Sequence, residues 1–398
     1  MSTTTVIGDR RRVATDRAQS MRRHPTNRET AAPATPPPIS FYVIFAVITV
    51  LTLLGLVMVL SATSVSQFHK GNSPWRIFGF QALYAIAGFF ALAVVLGQPL
   101  RRIRRLTRIS FIVSLGLMVL PFVPSLGVSV DGARAWIEIG GFSFQPSELV
   151  KLTLLLQAAD LLTRRQQFMH DPRRTLFPVL GLGLLAAGMS MVQDDLGSAI
   201  VITAIVFAIA FLAGAPLLPM MAVGAVGTVG VVALAMATPR RADRFTAFLD
   251  LAAHKDSLSF QTWQAMIAMA QGGLTGSGVG RGENKLGEFL PLAHSDFIFA
   301  VVAEELGMFG VVAVLGGFTV LAYAGVQVAL ASHDRFHQLV AGGIVAWFVV
   351  QALINVGGVT GLLPVTGLTL PFISAGGSSL LVSLVAAGLL LNVARNVR

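Results

Sequence analysis

The chain has 398 residues, 54% hydrophobic and 12% charged, without cysteine, and its mean hydropathy is +0.74. About a quarter of the residues in a soluble globular chain are charged, so a soluble fold of this length could not hide so much apolar surface; a bilayer, itself an apolar solvent, removes the difficulty. The absent thiols exclude disulfides, thiol chemistry and zinc–thiolate sites. A net charge of +10 suits nucleic acid in principle, but the basic residues fall in short connections between apolar runs, as the positive-inside rule requires, and no nucleic-acid partner is expected.

In chain order, residues 1–39 are polar, arginine-rich and close on a proline-rich stretch, the composition of a disordered cytoplasmic tail. Apolar runs of membrane-crossing length follow at 40–63, 74–97, 107–127, 147–162, 175–192, 195–213, 216–237, 304–330, 338–359 and 375–394. They predict an all-α polytopic membrane protein of about ten transmembrane helices. Residues 40–398 form one transmembrane domain, with a large extracytoplasmic loop, 238–295, between spans seven and eight. With a cytoplasmic N-terminus, 19 Lys and Arg residues fall inside and nine outside. That bias places both termini in the cytoplasm and the 128–146 and 238–295 connections outside. No internal repeat is apparent, which weighs slightly against a transporter.

Ionisable groups within spans are costly and therefore functional candidates. In the 145–151 stretch, Q-P-S-E-L-V-K, Pro146 suits the first helical position and Glu148 meets the helix dipole favourably. Lys151 follows on the same face, so a local ion pair is one reading and an anionic partner across the bundle another. Asp194 and Asp195 flank the fifth and sixth spans. Asp296 sits where the outer loop meets the eighth span, at the same membrane face as Lys151, and reads equally as a proton-handling acid or a helix cap. Glu304 and Glu305 lie deeper, where helix packing is the expected role, and His294 reads as a loop-surface residue.

The glycine-rich stretch 272–282 lacks the strand and the G-K-[ST] of a nucleotide loop. It reads as a flexible hinge, or as backbone binding an anion beside Arg281 and Lys285. The 357–379 stretch, dense in Gly, Pro, Ser and Thr, is expected to bend at the outer face and to line a cavity with Asp296, since non-helical backbone at membrane depth must be buried in protein or face water.

Five of these motifs, in this order, resemble the SEDS family (shape, elongation, division and sporulation): D-G-A-R-A-W-I at 131–137, Q-P-S-E-L-V-K-L at 145–152, Q-D-D-L-G-S at 193–198, the 290–307 stretch containing H-S-D-F-I-F, and 357–379. The resemblance spans residues 40–395 and implies a peptidoglycan glycosyltransferase of the bacterial cytoplasmic membrane. Its substrate would be lipid II and its leaving group undecaprenyl pyrophosphate. Its partners would be a class B penicillin-binding protein, a transpeptidase, and other membrane proteins of the division machinery. The resemblance makes Asp296 the essential aspartate, with Arg134, Glu148 and Lys151 as the matching motif residues; Lys285, beside the glycine-rich stretch, and Ser378, in the 357–379 stretch, are further supporting or substrate-binding candidates. The V-T-G-L-L-P-V-T-G-L-T-L-P-F-I-S stretch looks more like the division members, which implies a septal location. Two departures stand out: Asp194 replaces a proline, and Ala135 a second arginine. Asp296 would act as general base on an acceptor sugar hydroxyl. Lys151, Arg134 or a divalent cation would balance the leaving charge, with no protein metal site indicated. Lys151 could instead hold Asp296 in place. A lipid II flippase and a non-catalytic division scaffold are the competing readings.

Overall fold

The computed structural model describes residues 36–69, 71, 73–130, 132–236, 248–257, 259–283, 290 and 292–397. Of the tail expected at residues 1–39, residues 1–35 lie outside them, as does Lys285, and Ile39 already opens the first helix. Helices stand at each of the ten apolar runs: α1 (Ile39–His69), α2 (Arg76–Leu96), α3 (Leu100–Leu117), α4 (Pro146–Arg164), α5 (Leu176–Val192), α6 (Leu196–Leu212), α7 (Leu217–Met236), α9 (Ile298–Ala331), α10 (Arg335–Val359) and α11 (Gly377–Asn396). An eleventh, α8 (Phe260–Gly272), lies in the long connection before α9.

Six helices, α1, α2, α3, α9, α10 and α11, are long and apolar enough to cross a membrane by length and composition, while α5, α6 and α7 are shorter apolar helices. The remaining helix, α4, carries Glu148, Lys151, Asp160 and Arg164 yet is mostly buried. Glu148, Lys151 and Asp160 are buried and face protein, where partners can offset their desolvation, while Arg164 is exposed at the helix end. The most apolar 18 residues of α11 are 83% buried, against 22% for α2, so α11 is central and α2 peripheral. α11 packs on α2, α9 on α10 and α1, and α4 on α3 and α6. One continuous apolar core joins them.

The structure departs from the expected pattern in two places. The connection 128–146 is not plain loop but an antiparallel sheet in the order β1 (Gly127–Val130), β2 (Ala133–Ile139), β3 (Phe142–Phe144). Its second turn is the pair Gly140–Gly141, with φ of 61° and 85°, between the partners Ile139 and Phe142. Two consecutive left-handed residues are what a tight hairpin of this hand demands, and glycine supplies them without a Cβ penalty. The sheet docks on the bundle through Arg134 N–H to Gln193 O (2.9 Å) and Tyr84 Oη–H to Ser143 O (2.8 Å). The second departure is α9, which begins at Ile298, six residues before the expected start, and breaks at Gly307, where φ is 63° and ψ −154°.

Candidate active site

The polar centre is organised by two amides on one face of α10. Gln351 donates through Nε2 to Thr369 O (2.9 Å). One turn on, Asn355 donates through Nδ2 to Leu368 O (2.7 Å) and to Asp296 O (2.8 Å). These bonds hold the non-helical segment 360–376 between α10 and α11. Backbone at this depth has no helix or ladder to satisfy it, so side-chain donors must do so. Ser374 ties the same segment to the Asp296 side, with its Oγ donating to Ser295 O (2.7 Å), and Ala375 N–H donates to His294 O (2.9 Å).

A cleft of about 190 Å³, counting its open mouth, lies where these elements meet, lined by Asp296, Asn355, Gly358, Thr366, Gly367 and Leu368 among others. The expected shared cavity of Asp296 and the Gly/Pro-rich stretch is therefore present. The N-cap of α9 is Phe297, whose side chain makes no cap bond, and Asp296 stands one residue before it. Asp296 is half-buried, and a Cβ built on Gly367 would stand 3.7 Å from its Oδ2, so the carboxylate and the bent backbone face each other closely. Asn355 is 5% exposed, and its Oδ1 has no hydrogen-bond partner among the described residues. Both of its Nδ2 hydrogens go to carbonyls, which fixes the amide orientation.

Lys151 is fully buried. Its Nζ lies 2.7 Å from Glu148 Oε2, donates to Gln351 Oε1 (3.2 Å) and sits 5.6 Å from the Trp347 ring centroid. Trp347 Nε1–H donates to the same Gln351 oxygen (2.8 Å). Of the readings open for Lys151, the local ion pair with Glu148 is the one present, and a direct hold on Asp296 is not. Its ion pair is with Glu148 on its own helix, and its path to the cleft runs through Gln351 and the Thr369 carbonyl. The two residues belong to one network, and the cleft lining includes Asp296 but not Lys151.

Other expected residues are placed as follows. Arg134 is exposed on β2, in no ion pair among the described residues. Ser378 is buried and accepts from Gln145 N–H (3.3 Å), joining the starts of α4 and α11; it does not line the cleft. Asp195 caps α6 by accepting from Ser198 N–H (2.9 Å) and also accepts from Gln145 Nε2 (2.8 Å) and Ser147 Oγ (3.1 Å). Its role is to join α4 to α6. Asp194 has φ of 61°, a region closed to proline, whose ring holds φ near −65°; the turn does differ from a proline-bearing one. Among the described residues no group of three or more His, Asp or Glu side chains could hold a metal ion.

The glycine-rich stretch is not a loose hinge. Ser277 N–H donates to Glu304 O and Gly278 N–H to Glu305 O (both 2.9 Å), and Met308 N–H donates back to Gly273 O (3.0 Å). The carboxylates join in. Glu305 accepts from Ser61 Oγ (2.7 Å) and Gly280 N–H (3.1 Å), and Glu304 from Glu283 N–H (2.8 Å). The anion that this backbone holds is the protein's own. Gln351 and Asn355, the centre of the site, escape a search restricted to charges. A signal for them was available, because two amides one turn apart in an apolar span carry donors and acceptors that need partners.

A polytopic helical bundle with a carboxylate at the mouth of a bent, hydrogen-bonded segment defines an integral membrane protein with a polar site framed by its helices. The model of the FtsW/RodA/SpoVE family, described as "Cell cycle protein", matches residues 41–398, and the chain belongs to that family. It is 39% identical over 360 residues to the probable peptidoglycan glycosyltransferase FtsW of Mycobacterium tuberculosis, covering 90% of this chain and 68% of that protein. It is 37% identical over 356 residues to stage V sporulation protein E of Bacillus subtilis, covering 89% and 97%. Among solved structures it resembles a chain from "Structural coordination of polymerization and crosslinking by a peptidoglycan synthase complex", with a TM-score of 0.74 and 29% identity over 89% of this chain and 97% of that one. The rod shape determining protein RodA of Thermus thermophilus is also similar, with a TM-score of 0.65 and 29% identity over 89% and 96%.

Proposed function

We propose that this protein is a peptidoglycan glycosyltransferase that polymerises lipid II into glycan strands during septal wall synthesis. The observation that carries the reading is Asp296, a carboxylate lining the cleft formed with the bent 360–376 segment. The names borne by its relatives support the reaction class.

In the proposed step Asp296 takes the proton of the acceptor sugar's 4-hydroxyl as that oxygen attacks the anomeric carbon of the donor. The bond from that carbon to the undecaprenyl pyrophosphate oxygen breaks, and the pyrophosphate leaves with the electron pair. A positioned base contributes roughly 10²–10⁴-fold. Asn355 Oδ1, an acceptor on a cleft-lining residue, suits a second sugar hydroxyl. The enclosed part of the cleft is about 10 Å³, room for about one water-sized group, so it accommodates the reacting hydroxyl and not a whole disaccharide.

Of the two cations first considered, Arg134 is exposed and suited to the leaving pyrophosphate, whereas Lys151 is committed to Glu148 and Gln351 and acts by holding the 369 carbonyl in place. A divalent cation accompanying the pyrophosphate would share Arg134's task. The charge bias supports ten crossings with both termini in the cytoplasm. Similarity to a chain of a synthase complex that coordinates polymerisation and crosslinking supports a class B penicillin-binding protein as partner.

The test is polymerisation of lipid II by purified protein, read as glycan length on a gel, beside a vesicle assay for movement of labelled lipid II. Polymer from the wild type, lost in Asp296→Asn at unchanged melting temperature, supports the enzyme. Normal polymerisation by Asp296→Asn would overturn the base assignment, and lipid movement without lengthening would replace the enzyme with a flippase.

A further inference from the structure

The segment that carries Asp296 is clamped at both ends. At its start, Asn355 holds Asp296 O and Ser374 holds Ser295 O. At its far end, about nine residues and 13 Å along the helix axis, the 272–283 loop binds the backbone and carboxylates of Glu304 and Glu305. Beyond this point Gly307 breaks the helix, so the first turns of α9 are separated from the long span 308–331. The carbonyls of 304 and 305, which an unbroken helix would bond to 308 and 309, instead accept from Ser277 and Gly278. A Cβ on Gly276 would meet Glu305 O at 2.1 Å, and one on Gly307 would meet Gly276 N at 2.4 Å; the two backbones touch.

Glu305 links three elements. It is fully buried, and its carboxylate accepts from Ser61 on α1 and from Gly280 in the loop. Two adjacent buried carboxylates are costly in a membrane protein, and a packing role alone is filled more cheaply by leucine or methionine. Their carboxylates are what the loop amides bind.

We infer that Glu305, assisted by Glu304, is a positioning residue for Asp296. It anchors the glycine-rich loop to the kink at Gly307, so that the short helix from 298 to 306 is fixed in height and rotation and presents the preceding Asp296 to the cleft. This rests on the glycosyltransferase reading above. Misplacement of a reacting group by about 1 Å costs up to about 100-fold, so loss of the anchor acts on turnover and leaves substrate affinity largely unchanged.

The test compares full-length wild type, Glu305→Ala, Glu305→Gln and Ser61→Ala by hydrogen exchange of the 276–283 amides, thermal melting, and kcat and KM for lipid II polymerisation. For Glu305→Ala the expectation is exchange of those amides faster by about tenfold or more, kcat lower by about 10- to 100-fold, and KM changed less than about twofold. Glu305→Gln, which keeps one acceptor oxygen, falls between Glu305→Ala and wild type, and Ser61→Ala shows a smaller effect of the same kind. If Glu305→Ala does not fold, Glu305→Gln carries the same test. Unchanged exchange, or faster exchange with unchanged kcat, overturns the inference. A wild type that makes no polymer overturns the glycosyltransferase reading instead, and the exchange result then decides the anchor alone.

Discussion

Gln351 and Asn355 stand one helical turn apart on α10 and grip consecutive carbonyls of one non-helical segment, Thr369 O at 2.9 Å and Leu368 O at 2.7 Å. Gln351 reaches back to Lys151, and Asn355 reaches forward to the backbone of Asp296. The two amides set the spacing between the buried cation and the carboxylate.

Asn355→Leu removes the donor from two carbonyls at once. An unsatisfied buried polar group costs about 1–3 kcal/mol, so the variant is expected to melt several degrees lower in detergent and to lose most of its polymerisation. A melting temperature equal to wild type would show that the 368 carbonyl finds another donor.

Lys151→Met strands the buried Glu148 carboxylate, and breaking a buried pair from one side costs about 3–5 kcal/mol. The double variant Glu148→Gln/Lys151→Met leaves no unpaired charge and is expected to recover most of that stability. If Lys151 acts by holding the 369 carbonyl through Gln351, polymerisation stays low in the double variant although the fold returns. Recovery of both would reduce the pair to a stability element.

Asp195→Ala loses a helix cap and two further bonds, from Gln145 and Ser147. A cap alone is worth about 0.5–2 kcal/mol, so a loss above about 2 kcal/mol is expected in chemical unfolding, with Asp195→Asn retaining most of the cap. Equal losses in the two variants would place the contribution in the charge and not in the cap.

Asp194→Pro tests the backbone of this turn. Here φ is 61°, and the Asp194 N–H donates to Met191 O; proline forbids the first and lacks the second. The variant is expected to be less stable by about 3 kcal/mol. Wild-type melting would mean that the turn relaxes to the proline-compatible form.

The helix α9 shows how far local pattern reaches. Its apolar run is legible in the sequence, but its start at Ile298 and its break at Gly307 are not. The turns from 298 to 306 are held between Asn355 and Ser374, which bind the carbonyls of 296 and 295, and the 272–283 loop, which binds Glu304 and Glu305. The sheet at 127–144 is barely legible in the sequence because two of its strands, β1 and β3, are four and three residues long, and only the Gly140–Gly141 pair hints at a hairpin.

Composition alone determined that this chain belongs in a membrane, because burial of apolar area is additive along the sequence and needs no partner. Six of the helices follow from the same sums taken over windows of membrane thickness. Motif resemblance pointed to Asp296. Only the tertiary structure decided that Lys151 pairs with Glu148, that two uncharged amides frame the cleft, and that Glu305 holds a glycine-rich loop. Glu305 and Ser61 are 244 residues apart, and Lys151 and Gln351 are 200 apart. Hydrogen bonds are short and directional, so which donor finds which acceptor depends on how the helices pack.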